Sequence, residues 1–306
     1  MPNTYPAAPP TLSGDLLTIS RFLQSPTQIR RRLRDYKDLR FIADQVLTGR
    51  FRSSGGAVLY EQSEPFVTER VVEAVSPGAE YPSSEALTGT GALAAVLKWG
   101  QKVRITDEEI TRNVYGGASI DRKLRKLVNG IIKQVDATAM AAMASAVTAT
   151  RAAGTAWATV ATANPFLNVQ LAKADVYALN LGYNPDTILM SDTKFAYFTA
   201  NTIVSNLLRR ETTDNPIYTG VIQQIAGLAV LVSPNLPTDD VWVLDSTQLG
   251  GMADEQDGAP GYAVSDLAVE VKTMRQDEVD AWDMQGRRKT VPIVQEPGAA
   301  IKITGT

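Results

Sequence analysis

The chain contains neither cysteine nor histidine. Carboxylates, lysines, tyrosines and serines are therefore the groups left for chemistry. Thiolate nucleophiles, disulfides, zinc sites built on Cys or His, and Ser-His-Asp triads are all excluded. Two acidic clusters remain. Asp107-Glu108-Glu109 could supply half of an acid/base pair of the kind that hydrolyses glycosides. Consecutive helix residues point in different directions, however, and three acids in a row favour the positive start of a helix. Asp254-Glu255-Gln256-Asp257-Gly258 invites a calcium reading, but it lacks the alternating ligands and distal glutamate of an EF-hand loop. A solvated loop fits it better. No GxxxxGK phosphate loop, no GxGxxG after a strand and no GxSxG elbow occurs. We therefore expect no catalytic residue, no metal ligand and no cofactor site.

Composition agrees with a globular chain, at 44% hydrophobic and 21% charged over 306 residues. No apolar run reaches the length of a membrane span, and Met1-Pro2-Asn3-Thr4 does not open a signal peptide. The chain is expected to be made in the cytoplasm and to stay soluble, with no membrane partner. Charge is segregated within a total of −3. Residues 1–50 carry +4, residues 51–100 carry −3, residues 101–133 carry +4, and the remainder carries −8. Arg30, Arg31, Arg32 and Arg34 crowd the first basic segment; Arg122, Arg125, Lys126 and Lys133 crowd the second. Such runs are usually solvated helix faces, and they can also face a polyanion. The aromatic residues Tyr60, Trp99, Trp157, Trp242 and Trp282 are scattered and form no stacking platform for bases.

The elements that must position these residues follow from periodicity. Residues 1–14 hold four prolines and read as an extended arm, followed by one or two short helices to residue 50. Ala57–Tyr60 and Phe66–Val72 read as strands, and Leu93–Thr106 alternates again. Between them, residues 76–91 hold Pro77, Gly78, Pro82, Gly89 and Gly91, which is turn chemistry. The result is a long hairpin without a private core, a kind of element that is marginal alone. Ile120, Leu124, Leu127, Val128, Ile131, Val135 and Met140 recur at three- and four-residue steps and predict one long amphipathic helix over 119–148, capped by Ser119. Asn164-Pro165 opens another helix, with Leu167, Leu171, Ala174, Ala178 and Leu181 expected on its buried face and Gly182 at its end. Strands are expected at 187–190, 225–232 and 241–244 and in the last forty residues. The architecture is mixed α+β.

This order of parts resembles the major capsid protein of tailed double-stranded DNA bacteriophages, the Hong Kong type shell fold. Local likenesses lie at Glu80-Tyr81-Pro82, at Lys102 to Glu108, at Asn184 to Ser191, and from Gly227 to Pro237. The resemblance implies five parts. They are an N-terminal arm with a short basic helix (1–50), an E-loop hairpin (51–104) and a P-domain with its spine helix (105–164). An A-domain (165–262) and C-terminal strands returning to the P-domain (263–306) complete them. It implies a subunit that assembles with itself into pentamers and hexamers of an icosahedral virion shell, made in the host cytoplasm. It also implies a portal and packaged DNA held by non-specific contact. Some relatives carry a long scaffolding extension before the arm, and with about forty residues ahead of the hairpin a separate scaffolding protein is expected here. Tyr81, Pro82 and Trp99 become intersubunit contact candidates, and the eight basic residues named above become inward-facing or intersubunit candidates. Residues 51–97 contain no lysine and residues 236–306 no asparagine, so the Lys–Asn isopeptide weld of some relatives is not expected. A bacterial nanocompartment shell of the same fold is the alternative. A carboxylate-dependent hydrolase is the rival of a different class.

Overall fold

A computed structural model describes residues 41–65, 68–85, 88–112, 117–207, 224–256, 259–264 and 268–306. The basic residues Arg30, Arg31, Arg32 and Arg34 lie outside them. The chain forms two compact units.

One unit draws on Gly100–Val128 and Ala259–Arg287. Its strands are the inner part of β4 (Leu97–Thr106), β11 (Ala263–Val264), β12 (Glu270–Gln276) and the first half of β13 (Ala281–Val294). β12 and β13 pair antiparallel from Glu270 opposite Arg287 to Gln276 opposite Ala281, and β4 also pairs with β13. Gly100 permits that approach, since a Cβ there would lie 3.0 Å from the Gly286 carbonyl. Val269, Val271 and Met284 are buried, as are Ile120, Leu124 and Leu127 from the start of α3 (Gly117–Ala146).

The other unit draws on residues 41–99 together with Asn129–Gly258 and Arg288–Thr306. Its main sheet runs β5 (Thr150–Ala152), β14 (Ala300–Thr304), β9 (Val241–Leu244), β6 (Thr187–Met190), β8 (Leu228–Val232) and β7 (Gln224–Ile225). Every residue of β6 and β9 is buried, which suits Thr-Ile-Leu-Met and Val-Trp-Val-Leu, short apolar runs with no alternation. α4 (Pro165–Ala178) packs on β14 and β9. β1 (Gly49–Arg52) runs parallel to β10 (Gly250–Asp254), which pairs with the second half of β13. Three glycines make that layer possible: a Cβ on Gly251 would fall 2.3 Å from the Gly49 carbonyl oxygen, and one on Gly250 would fall 2.1 Å from that of Ile293.

Several expectations hold in detail. The long helix is present and ends at Ala146, but it already runs from Gly117, so Ser119 lies within its first turn and is not the preceding cap residue expected from sequence. All seven residues of its expected apolar stripe are at most 3% exposed. Asn164 caps α4 by accepting from the Leu167 amide at 3.0 Å, with Pro165 in the first turn. Ser191 caps α5 (Asp192–Ala200). Trp157 and Trp242 are fully buried, with Trp157 packed on Phe198 at 5.9 Å between ring centroids. Buried Asn201 donates to the Val160 and Ala163 carbonyls and accepts from the first amides of α6 (Thr202–Leu207).

Three expectations change. α4 buries Pro165, Val169, Ala172 and Val176, not the stripe from Leu167 to Ala178. Both stripes have helical spacing, so periodicity alone could not choose between them. The helix also stops at Ala178, with Asn180 in the left-handed region before Gly182. Residues 68–72 form no strand, because no partner ladder runs beside them, and residues 66 and 67 lie outside the described set. Finally, 225–232 is a tight β7–β8 hairpin turning at Ala226-Gly227, both with positive φ.

Candidate assembly surface

The acids at 107–109 are engaged at a helix start. Thr106 and Glu109 make a reciprocal capping box at the start of α2 (Asp107–Arg112), each side chain accepting from the other's amide at 3.3 Å. Asp107 holds Arg275 through two bonds of 2.6 and 2.7 Å. That hydrogen-bonded guanidinium keeps the Asp107 carboxyl below its ordinary range. Lys123 does the same for Glu109. Asp254 accepts from Arg288, and Asp257 and Gly258 lie outside the described residues. Among the described residues, no group of acids could hold a metal ion.

Buried charge is spent on structure. Arg288, with no exposed side-chain surface, binds Asp44 and Asp254 and stacks over Phe41 at 4.3 Å. Asp136 of α3 accepts from the Ile42 and Ala43 amides, and its burial raises the carboxyl to about 6. These contacts fix α1 (Ala43–Val46). In the other unit, Asp283 is fully buried and accepts from Lys102 and twice from Arg104. Those bonds hold its carboxyl below the usual range.

The feature that remains is an exposed one. β2 (Ala57–Gln62) and β3 (Thr90–Ala95) form a two-stranded ladder of their own, from Ala57 opposite Ala95 to Gln62 opposite Thr90. No residue of either strand is buried. Leu59 faces Leu93 across the ladder, and the two are 76% and 72% exposed. Beyond the ladder, Val71, Val72 and Tyr81 are more than four-fifths exposed. With Arg70, Val75 and Pro82 they line a shallow groove of about 220 Å³. Aliphatic and aromatic side chains so open to water, gathered on an extension without a core, mark a surface meant to be covered.

The sequence-predicted residues divide accordingly. Tyr81 is exposed and Pro82 half-buried in that groove, while Trp99 is half-buried on β4. Arg122, Arg125, Lys126 and Lys133 are exposed on α3. Sequence reasoning missed Leu59, Leu93, Val71 and Val72 as surface residues. Composition and alternation read strands at 57–60 and 93–106, but they could not say that these side chains stay open to water in the single chain.

A shell-building protein is the class that this combination suits: two packed units and a hairpin whose apolar side chains lie open to water. A family model described as phage capsid protein matches residues 90–303, and the chain belongs to that family. Its fold also matches several solved structures. The capsid of cyanophage P-SCSP1u aligns at TM-score 0.58 and 17% identity, over 83% of this chain and 84% of that one. A phage-related protein from Bordetella bronchiseptica RB50 aligns at 0.59 and 12%, over 92% and 96%. An encapsulin complex from Synechococcus elongatus PCC 7942 aligns at 0.54 and 11%, over 84% of each chain. At such identities the likeness concerns the fold. No curated protein matches the chain.

Proposed function

We propose that this capsid protein assembles into pentamers and hexamers of an icosahedral virion shell around double-stranded DNA. The observation that carries the reading is the uncovered hairpin in a chain of the phage capsid family. In the assembled shell the hairpin lies on a neighbouring subunit, where Leu59, Leu93, Val71, Val72 and Tyr81 leave water. Residues 61–85 hold six glutamates and one arginine, a charge that complements the basic arm and the exposed Arg122, Arg125, Lys126 and Lys133. Contacts repeated around a closed shell are individually weak and collectively strong. A scaffolding protein, a portal and non-specific contacts to packaged DNA complete the partners, and assembly takes place in the host cytoplasm. The work is mechanical rather than catalytic.

The encapsulin likeness keeps a nanocompartment shell as the second reading. Expression of the chain with its neighbouring genes, followed by electron microscopy and nuclease treatment, tests both. Closed shells that protect double-stranded DNA support the virion. Closed shells filled with protein, without nucleic acid, favour the nanocompartment. A monomer with turnover on polysaccharide would overturn both.

A further inference from the structure

The hairpin leaves its unit at a defined root, and the bonds there converge on one side chain. β2 ends at Gln62, and Ser63 takes a left-handed conformation with φ 56°. The Ser63 amide donates to the Gln295 carbonyl at 2.9 Å. The next amide, Glu64, donates to Glu296 Oε1 at 3.3 Å. The other oxygen of Glu296 accepts from the Tyr183 hydroxyl at 2.8 Å. Tyr183 is 9% exposed, and its ring packs 3.3 Å from where a Cβ on Gly298 would lie. Burial and the Glu296 carboxylate push the Tyr183 hydroxyl above its ordinary range, so it remains a donor. Just before β3, Gly89 sits so close that a Cβ would meet the Gln62 carbonyl oxygen at 2.7 Å and the Glu64 nitrogen at 3.2 Å. Glu64, Pro65, Gly182, Tyr183, Gln248 and Glu296 surround a cleft of about 380 Å³ at this point.

We infer that Glu296 is a positioning residue for assembly: held by Tyr183 from the core, it grips the Glu64 amide and sets the direction in which the hairpin leaves the subunit. The inference rests on the hairpin lying over a neighbour. Past Ser63 the described residues of the tip have no sheet beneath them, so a small rotation at the root becomes a large displacement at Val72 and Tyr81. A carboxylate suits the post because its two oxygens accept from two donors at once, one fixed and one on the element being aimed.

The test uses the full chain and three variants, Glu296→Ala, Glu296→Gln and Tyr183→Phe. Glu296→Ala removes both acceptors; Glu296→Gln keeps an acceptor for the Glu64 amide; Tyr183→Phe frees Glu296 while leaving the ring packing. Hydrogen exchange on the unassembled chain is read at the Glu64 amide and at α4 as an internal control. Assembly products are sized by electron microscopy. We expect Glu296→Ala to speed exchange at Glu64 roughly tenfold, the scale of one lost charge-assisted hydrogen bond, with α4 unchanged. It should give fewer closed shells and more open or mis-sized ones. Glu296→Gln should restore both readouts in part, because its amide oxygen keeps one neutral acceptor, and Tyr183→Phe should likewise fall between wild type and Glu296→Ala. Wild-type shells from Glu296→Ala at wild-type yield would overturn the inference, as would unchanged exchange at Glu64. If Glu296→Ala fails to fold, Tyr183→Phe carries the same two readouts. Failure of the wild-type chain to form shells would count against the assembly reading, and the exchange result would still judge the clamp.

Discussion

Replacing Leu59 and Leu93 by threonine should cripple assembly while leaving the subunit folded. Both side chains are about three-quarters exposed in the single chain. Threonine retains strand propensity, and a Thr–Thr cross-strand pair is itself favourable, so the β2–β3 ladder should survive. The change in subunit stability should stay within about 0.5 kcal/mol, the range of surface substitutions. The assembled state is a different matter. Full burial of a leucine is worth about 1.5–3 kcal/mol, so covering the three-quarters now exposed is worth about 1–2 kcal/mol each. The pair then contributes about 2–4 kcal/mol per subunit contact, or about 30- to 1000-fold in association. Light scattering against protein concentration gives the threshold for assembly, and a thermal melt of unassembled subunits gives the control. A rise in threshold of about 30-fold or more with an unchanged melt is the expected outcome. An unchanged threshold would refute the claim that this face is covered by a neighbour.

Three further outcomes follow from buried groups. Arg288→Met should cost about 3 kcal/mol by urea unfolding, the low end for breaking a buried ion pair, since Asp44 keeps Arg50 and both carboxylates reach some water. Gly251→Ala places a Cβ against the Gly49 backbone, which must shift; we expect a loss of roughly 1–3 kcal/mol, read as a lowered melting temperature. For Asp136 the sign runs opposite to most acids. Its folded carboxyl titrates at about 6, above the usual value near 4, so the folded state holds the proton more tightly. Wild-type stability relative to Asp136→Asn should fall as pH rises from about 4 to about 6, by up to about 3 kcal/mol, and then level off. Paired melts across pH 4–8 check it; a difference that does not change with pH would contradict the assignment.

How much of this was legible depends on whether one arrangement alone satisfied the pattern. The long helix was readable because its seven apolar positions form a single stripe with basic residues off it. The start of α4 was readable too, but its buried face was not, because Leu167-Leu171-Ala174-Ala178 and Val169-Ala172-Val176 both have helical spacing; the sheet chose the second, leaving Leu167 48% exposed. Phe66–Val72 has strand composition, but a strand requires a partner, and that depends on distant residues. The capping box of Thr106 and Glu109 is local and could have been read. Arg288 with Asp44 and Asp254, and Tyr183 with Glu296 and Glu64, join residues more than thirty positions apart. Spacing carries no signal for such pairs.

Whether the purified chain closes into shells is the most direct test of the central claim. Cryo-electron microscopy of the assembled protein should show closed icosahedral particles in which Leu59, Leu93 and Tyr81 of each hairpin lie against an adjacent subunit. Subunits that stay monomeric at every concentration, in the presence of their neighbouring gene products, would contradict it. So would shells whose hairpins stand free in solvent.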